Sequence, residues 1–187
     1  MTIIVCENVR ENMILVGLGS NLTTARLKSS QAVLEAALNA LEKKNITVVR
    51  RSLWYRSAPV PPSDQPWFVN GVAQVETSLP PHALLEALHS VEAEYGRVRG
   101  APNASRTLDL DLLAYGDLVM DEPGGLRVPH PRLAERAFVL QPLAELVPQW
   151  RHPVSGLTAE ALLARLPGGQ AVEQLEEGPA EEGAADR

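Results

Sequence analysis

Two aspartates separated by one residue are the side chains in this sequence best arranged for chemistry. Residues 106 to 113 read Arg-Thr-Leu-Asp-Leu-Asp-Leu-Leu, so leucines alternate with Asp109 and Asp111. A period of two predicts a β-strand whose leucines face a core while both carboxylates leave the opposite face, about 6–7 Å apart along the chain. Mg²⁺ carried on a polyphosphate is usually held by one or two carboxylates together with phosphate oxygens. The spacing therefore indicates a metal site, although an edge strand with a solvated acidic face shows the same pattern.

Positive charge is dense in the sequence around this pair. Guanidinium groups are always charged and offer a planar fork of donors that suits phosphate oxygens. Arg97 or Arg99 taken alone is better explained by a helix C-terminus, whose partial negative charge attracts cations. The whole set, in an acidic protein, favours a site for a charged ligand. Its members are Arg97, Arg99, Arg106, His130, Arg132 and Arg136.

Two further segments invite a ligand-binding interpretation. Gly17-Leu18-Gly19-Ser20-Asn21 fails the dinucleotide pattern because residue 22 is Leu, and no P-loop pattern occurs in the chain. We interpret both glycines as a tight strand-to-helix turn, so any bound ATP is held without a P-loop. Trp67-Phe68-Val69-Asn70 follows a proline-rich loop and offers aromatic rings and an amide to a flat heterocycle. Ordinary strand packing is the alternative for this segment.

Composition limits the class of protein. The 187 residues are 45% hydrophobic and 21% charged, which is ordinary for one soluble globular domain. A net charge of −6 argues against a general nucleic-acid binder. The single cysteine, Cys6, predicts a reducing compartment, and no apolar run approaches a membrane span. We expect a cytoplasmic monomer that binds neither nucleic acid nor membrane.

The order of hydrophobic periods predicts the fold. We expect an N-terminal extension over residues 1–12, a folded domain over 13–168 and an acidic, disordered tail over 169–187. Within the domain the order is β-α-β-β-α-β, that of a ferredoxin-like α+β sandwich, followed by additional C-terminal helices. The predicted strands are 13–18, 46–56, 67–77 and 106–113, and the predicted helices are 24–44, a segment capped by Ser78 that ends near Gly96, 138–147 and 158–166.

Seven motifs follow one another in order through nearly the whole predicted domain. They are Gly-Leu-Gly-Ser-Asn-Leu (17–22), Trp-Tyr-Arg-Ser-Ala-Pro-Val (54–60), Asp-Gln-Pro-Trp-Phe-Val-Asn (64–70), Glu-x-x-Tyr-Gly-Arg-Val-Arg (92–99), Arg-Thr-Leu-Asp-Leu-Asp-Leu-Leu (106–113), Val-Pro-His-Pro-Arg (128–132) and Arg-x-Phe-Val-Leu-x-Pro-Leu (136–143). In these motifs the chain resembles the 6-hydroxymethyl-7,8-dihydropterin pyrophosphokinase family of folate biosynthesis.

The resemblance implies an activity and a set of site residues. The family transfers the terminal pyrophosphate of MgATP to the pterin hydroxymethyl group and releases AMP. It implies that Asp109 and Asp111 bind two Mg²⁺ ions and that Arg97 and Arg106 clamp the transferring group. ATP would further contact Glu92, Arg99, the backbone at Leu112, His130 and Arg136. The pterin pocket would comprise Ser57, Ala58, Val60, Phe68, Asn70, Asp109 and Phe138.

Two non-catalytic classes share the predicted element order. The RNA-recognition module stacks bases on strand aromatics, and Trp67 and Phe68 faintly resemble such a platform. Its RNP1 pattern is absent, however, and the charge is negative. In a ferredoxin-like ligand-sensing module, Asp109 and Asp111 would be incidental. Magnesium-dependent formation of AMP separates the enzyme from both.

Overall fold

The computed structural model describes residues 13–97 and 105–176. The predicted extension over 1–12 and the end of the tail, 177–187, lie outside the described residues. The strands of the described part are β1 (Ile14–Ser20), β2 (Thr47–Arg51), β3 (Tyr55–Ser57), β4 (Phe68–Glu76), β5 (Asp109–Tyr115), β6 (Met120–Asp121), β7 (Arg127–Val128) and β8 (Val172–Gln174). The α-helices are α1 (Ser30–Glu42), α2 (Pro81–Glu94), α3 (Ala137–Leu146) and α4 (Ala159–Arg165), and a single 3-10 turn covers Leu133–Glu135.

The main sheet is antiparallel and six-stranded in the described residues. Its order is β5-β1-β4-β3-β8. β3 pairs with the N-terminal part of β4, and β2 pairs with the C-terminal part of the same strand. The predicted strand over 46–56 is therefore broken into β2 and β3. The break lies at Ser52–Trp54, where the Trp54 side chain turns into the core and is 2% exposed. A mixed α and β fold with an antiparallel sheet is confirmed.

The two faces of the sheet carry separate hydrophobic layers. Leu108, Leu110 and Leu112 pack under α1 and α2 at 0%, 1% and 3% exposure, as the alternating pattern predicted. The opposite face packs against α3 and α4 around residues such as Leu15 and Leu140. Asp109 and Asp111 belong to this second face, at the end of the sheet near the start of α3. The helices thus cover one face and only part of the other, which leaves a cleft above the carboxylates.

The two glycines of β1 correct the turn interpretation. Gly17 and Gly19 lie inside the strand and pair directly with Asp111 and Asp109 of β5. A Cβ on Gly19 would stand 3.7 Å from the Cβ of Asp109 and 3.4 Å from Asn70 Oδ1. The Leu113 side chain fills the space at Gly17, 3.3 Å from the position that a Cβ would take, whereas Gly19 lines the cleft beside Asp109. Both glycines lie in a strand and do not form a turn, and Gly19 helps to shape the cleft.

Two predicted helix starts also differ from the structure. Helix α1 begins at Ser30 and not at Thr24, because the Ser29 hydroxyl accepts the Ala32 N–H and sets the first turn. Helix α2 has Pro80 at its N-cap with no side-chain capping bond, so Ser78 is not its cap. Pro81 at the first helical position needs no donor partner, which lets the helix start there without a capping hydroxyl.

The C-terminal segment corrects the predicted domain boundary. Val172 pairs with Ser57 as β8 extends the sheet beyond β3, and the Leu175 N–H donates to Trp54 O at 2.8 Å. The Ala58 N–H donates to Ala171 O at 3.3 Å. Composition predicted disorder from residue 169 because this segment is poor in apolar side chains. Backbone pairing to an open strand edge does not require them, so residues 170–175 belong to the fold.

Removing β8 is expected to destabilise the domain. A chain ending at Gly168 should melt about 2–8 °C below the full chain, because it exposes the β3 edge and loses the Val172 and Leu175 contacts. A chain ending at Glu176 keeps β8 and should melt within about 1 °C of the full chain. Thermal unfolding followed by circular dichroism provides the comparison. Equal midpoints for the two truncations would contradict a stabilising role for β8.

Gly71 is expected to tolerate no side chain. A Cβ at this position would lie 2.6 Å from the Trp54 ring, which covers the glycine at the break between β2 and β3. The Gly71→Ala variant should lose about 1–3 kcal/mol of unfolding free energy through overpacking. Gly168→Ala is the matched control, since nothing lies within 4 Å of the added methyl group. Urea unfolding of both variants checks the expectation, and an undisturbed Gly71→Ala protein would contradict it.

Candidate functional site

A cleft of about 720 Å³ opens between the sheet, the loop after β3 and the start of α3. Most of the residues predicted for the site lie along it. They are Ser57, Ala58, Val60, Phe68, Asn70, Arg97, Arg106, Asp109, Asp111, His130, Arg136 and Phe138. Arg132, a member of the predicted basic set, also lines the cleft. The other lining residues had no ligand-binding role predicted from the sequence, and they are Gly19, Pro59, Pro61, Ser63, Gln65, Glu135 and Gln170.

Asp109 is held by two arginines. Arg97 Nη1 lies 2.7 Å from Asp109 Oδ1, and Arg106 Nη1 lies 3.0 Å from the same oxygen. All three side chains are about one quarter exposed. Partial burial strengthens such charge-assisted contacts relative to those of a fully solvated pair. The protein itself therefore neutralises the Asp109 charge and fixes both guanidinium groups at the cleft.

Glu92 stands behind this cluster and does not line the cleft. It is 3% exposed, pairs with Arg97, and accepts the Leu110 N–H of β5 at 2.7 Å. A buried carboxylate requires such partners because the loss of water is costly. Glu92 thus ties the end of α2 to β5 and orients Arg97.

Asp111 has a different environment. Its nearest guanidinium, Arg136 Nη1, is 3.8 Å away, and its side chain is 37% exposed to the cleft. Desolvation by the surrounding protein raises the pKa of Asp111, and the neighbouring Asp109 charge raises it further. His130, Arg136 and Arg97 oppose both effects. Asp111 is therefore the carboxylate that remains short of positive charge.

His130 is oriented by backbone contacts at the mouth of the cleft. The backbone N–H of His130 donates to Leu113 O at 2.9 Å, and the ring Nδ1 of His130 accepts the backbone N–H of Arg132 at 3.1 Å. The neutral ring then carries its proton on Nε2. Burial lowers the pKa of His130, and Arg136 and Arg132 lower it too, while Asp111 raises it. The ring is consequently a neutral donor near pH 7.

Another part of the cleft lining suits a flat, polar ring. Asn70 and Ser57 are 4% and 3% exposed, and Asn70 Nδ2 donates to Ser57 Oγ at 2.9 Å. This bond fixes the amide that borders the cleft. Phe68 and Phe138 supply aromatic surface there, and the Arg136 guanidinium lies 5.4 Å from the Phe138 ring centroid. An amide and aromatic rings that line the same cleft are suited to recognising a heterocycle by its polar edge and by stacking.

Asn21 holds the loops around the cleft, and no role was predicted for it from the sequence. It is 4% exposed, its Oδ1 accepts the Arg106 N–H at 2.8 Å, and its Nδ2 donates to Pro66 O at 3.2 Å. One side chain therefore joins the end of β1 to the segments before β4 and β5. The available signal was a polar residue immediately after an apolar strand, a pattern that many turns share.

The ATP contact predicted at Leu112 can involve only the backbone of that residue. The Leu112 side chain is buried in the core at 3% exposure, so only its backbone could reach a ligand. Leu110 turns its N–H away from β1 towards Glu92, and strand alternation directs the backbone groups of Leu112 to the same outer edge. Arg99 lies outside the described residues.

The described residues fit a hard cation shared with a substrate. No group of three or more His, Cys, Asp or Glu side chains capable of holding a metal occurs in residues 13–97 and 105–176. Asp109 and Asp111 alone match the usual mode of Mg²⁺, which keeps waters and completes its coordination with phosphate oxygens. Gly19 lines the cleft beside Asp109 without a side chain, which leaves room for those ligands.

Comparisons with known proteins agree with this geometry. The model of the 7,8-dihydro-6-hydroxymethylpterin-pyrophosphokinase (HPPK) family matches residues 15–148. The 2-amino-4-hydroxy-6-hydroxymethyldihydropteridine pyrophosphokinase of Pseudomonas aeruginosa is 45% identical over 163 residues, which cover 83% of this chain and 97% of the relative. The Synechocystis enzyme of the same name is 41% identical over 152 residues, covering 81% of this chain and 75% of that protein.

A solved structure supports the fold. The crystal structure of wild-type Plasmodium falciparum HPPK-DHPS superimposes with a TM-score of 0.64 at 14% identity, covering 82% of this chain. The chain spans 44% of the length of that solved chain, so this likeness concerns the fold only. From the family match and the curated relatives, the chain belongs to the 7,8-dihydro-6-hydroxymethylpterin-pyrophosphokinase family and is a MgATP-dependent kinase of folate biosynthesis.

Proposed function

We propose that the cleft transfers the β,γ-pyrophosphate of ATP to the hydroxymethyl group of 6-hydroxymethyl-7,8-dihydropterin. The pterin hydroxyl oxygen forms a bond to the β-phosphorus, the bond from that phosphorus to the α,β-bridging oxygen breaks, and AMP leaves. The hydroxyl proton passes to solvent. One observation carries the proposal: a carboxylate pair flanked by arginines shares a cleft with an amide bordered by aromatic rings.

Asp109 and Asp111 are proposed to hold two Mg²⁺ ions together with the phosphate oxygens of ATP. When bound, the metal neutralises charge on the phosphates and lowers the barrier to nucleophilic attack. Asp111 suits this role because it lacks a close arginine partner. Asp109 suits it because its two arginines are held at the same place and can contact the phosphates beside it.

The arginines are proposed to carry the electrostatic part of catalysis. Arg97 and Arg106 clamp the transferring group, with Arg136 and the neutral His130 as further phosphate contacts. Glu92 acts through Arg97, and the backbone of Leu112 and Arg99 complete the ATP contacts. Pyrophosphoryl transfer depends mainly on positioning and charge neutralisation, so such a site needs no strong protein base.

The remaining lining residues of the cleft are proposed to form the pterin pocket. Asn70, fixed by Ser57, reads the polar edge of the heterocycle, and Phe68 and Phe138 stack against its faces. Ala58 and Val60 close the side of the pocket formed by the loop after β3. Asp109 lies between the two substrates, where the hydroxymethyl oxygen must meet the β-phosphorus.

Several broader predictions belong with this proposal. We propose a ferredoxin-like sandwich as the central unit, supported by the sheet order β5-β1-β4-β3 with α1 and α2 on one face. We also propose that the pyrophosphokinase domain begins at residue 13.

We still predict that the protein is a monomer in the cytoplasm. Among the described residues, no helix is long and apolar enough to span a bilayer. The non-catalytic binding modules are not favoured by any feature of the cleft.

Release of AMP tests the proposed reaction directly. The purified chain should form AMP from ATP only when both Mg²⁺ and 6-hydroxymethyl-7,8-dihydropterin are present. Omission of the pterin, or addition of a chelator, should abolish the product. AMP formation at the same rate without pterin would contradict pyrophosphoryl transfer and indicate a simple hydrolase.

The Asp109→Asn and Asp111→Asn variants should each lose turnover by about a hundredfold or more, because a neutral amide is a poor Mg²⁺ ligand and leaves phosphate charge uncompensated. A coupled assay of AMP release at saturating MgATP compares the turnover of each variant with that of the wild type. Asp121→Asn is the control, since Asp121 pairs with Arg127 on an exposed hairpin outside the cleft. Wild-type turnover in either cleft variant would contradict a role in metal binding.

The same two variants should differ in stability when metal is chelated. Asp109→Asn should lose about 1–3 kcal/mol because Arg97 and Arg106 both lose a charged partner. Asp111→Asn should be at least as stable as the wild type at pH 7. The raised pKa of Asp111 means that the folded state binds more protons than the unfolded state between the two pKa values. The unfolding free energy therefore falls as pH rises through that window.

Urea unfolding at pH 7 with a chelator, repeated near pH 4, checks both expectations. The stability advantage of Asp111→Asn should shrink at the lower pH, where the wild-type carboxyl takes up its proton. Equal losses in the two variants would show that the aspartates have equivalent surroundings, contrary to the observed distances.

A further inference from the structure

We propose that Gln170 is a positioning residue for the proposed reaction, because it ties the C-terminal segment to the backbone on both sides of Arg136. The inference rests on the proposed function of the cleft. We call residues 170–175 the C-terminal strap. No pattern in the sequence pointed to this role, since the strap lies within the acidic tail predicted to be disordered.

Gln170 accepts one hydrogen bond from the backbone of residues 135–137 and donates another to it. Its Oε1 accepts the Ala137 N–H at 2.9 Å, and its Nε2 donates to Glu135 O at 2.9 Å. Ala137 is the first residue of α3, so its N–H has no partner within the helix. Arg136 occupies the N-cap and provides no side-chain capping bond. Gln170 supplies the missing acceptor from a distant part of the chain.

The residues next to these contacts are those that face the substrates. Arg136 lies between the two tethered backbone groups, and Phe138 follows in the first turn of α3. Both side chains line the cleft, and the guanidinium lies over the Phe138 ring at 5.4 Å. A shift of the first turn of α3 would move the proposed phosphate contact and the proposed stacking ring together.

The other end of the strap holds the opposite wall. The Ala58 N–H donates to Ala171 O at 3.3 Å, and Val172 pairs with Ser57. Glu173 pairs with Arg56 at 3.0 Å on the outer surface. Residues 170–172 thus connect directly to Ser57 and Ala58 on one wall and to Glu135 and Ala137 on the other. The strap sets the separation of the two walls between which the pterin is proposed to bind.

The Gln170→Ala variant tests this inference through kinetics. It should lower kcat/KM for the pterin by about ten- to a hundredfold, since small displacements of positioning groups have effects of this size. Gln170→Glu keeps an acceptor for the Ala137 N–H but loses the donor to Glu135 O, and it should restore part of the loss. Hydrogen exchange at the Ala137 amide should be faster in Gln170→Ala than in the wild type.

Thr158→Ala is the matched control for a purely structural effect. Thr158 Oγ1 accepts the Ala161 N–H at 3.1 Å and caps α4, away from the cleft. This variant also removes a capping bond at a helix start and should lower Tm comparably, yet it should keep the wild-type kcat and KM. Gln174→Ala, an exposed position on β8, should change neither property.

Two results would overturn the inference. One is a Gln170→Ala enzyme with wild-type kcat and KM for both substrates. The other is a kinetic loss in Thr158→Ala equal to that in Gln170→Ala at a matched decrease in Tm, which would reduce the role of Gln170 to stability. Failure of the proposed function is a separate outcome, because the wild-type chain itself would then form no pterin-dependent AMP.

Discussion

The electrostatics of two carboxylates on one face of β5 constrain most of the site. Asp109 and Asp111 are close like charges in a cleft where protein replaces part of the water, so each must find positive charge or take up a proton. Asp109 and Asp111 meet this requirement in different ways. Arg97 and Arg106 both contact Asp109 within 3.0 Å, whereas Asp111 has its guanidinium partner at 3.8 Å and a raised pKa. One carboxylate organises the arginines, and the other retains an unmet demand for a cation.

The different surroundings of the two aspartates depend on residues that do not line the cleft. Glu92 is buried behind Arg97 and also accepts the Leu110 N–H, so the guanidinium is fixed to the strand that bears the aspartates. Asn21 fixes the backbone of Arg106 in the same way from the end of β1. Such preorganisation matters because donors already in place need not reorganise when charge develops on the phosphates. A point charge on a mobile side chain would give less stabilisation.

Space in the cleft comes from backbone features as much as from side chains. Gly19 pairs with Asp109 and lines the cleft without a side chain. The parts of the cleft formed by β3 and by the start of α3 both contact the C-terminal strap, which is distant from them in sequence. β8 pairs with β3, and Gln170 accepts the first N–H of α3. The dimensions of these parts of the cleft are therefore tied to the C-terminal strap, for which the composition predicted disorder.

The sequence by itself determined the features that depend on local periodicity and residue chemistry. The alternation around Asp109 and Asp111 predicted a strand with buried leucines, and the element order predicted an α+β fold. The motif set predicted most of the residues that the cleft brings together. These signals are local because a strand or helix selects side chains at fixed intervals.

Only the tertiary structure decided which distant groups meet. The pairing of Gly17 with Asp111, the withdrawal of Glu92 behind Arg97, the break at Trp54 and the addition of β8 all depend on contacts between segments far apart in sequence. Strand addition in particular is made by backbone N–H and C=O groups, which every non-proline residue carries alike. A composition that lacks apolar side chains therefore gives no sign of it, whereas the open edge of β3 provides the partner.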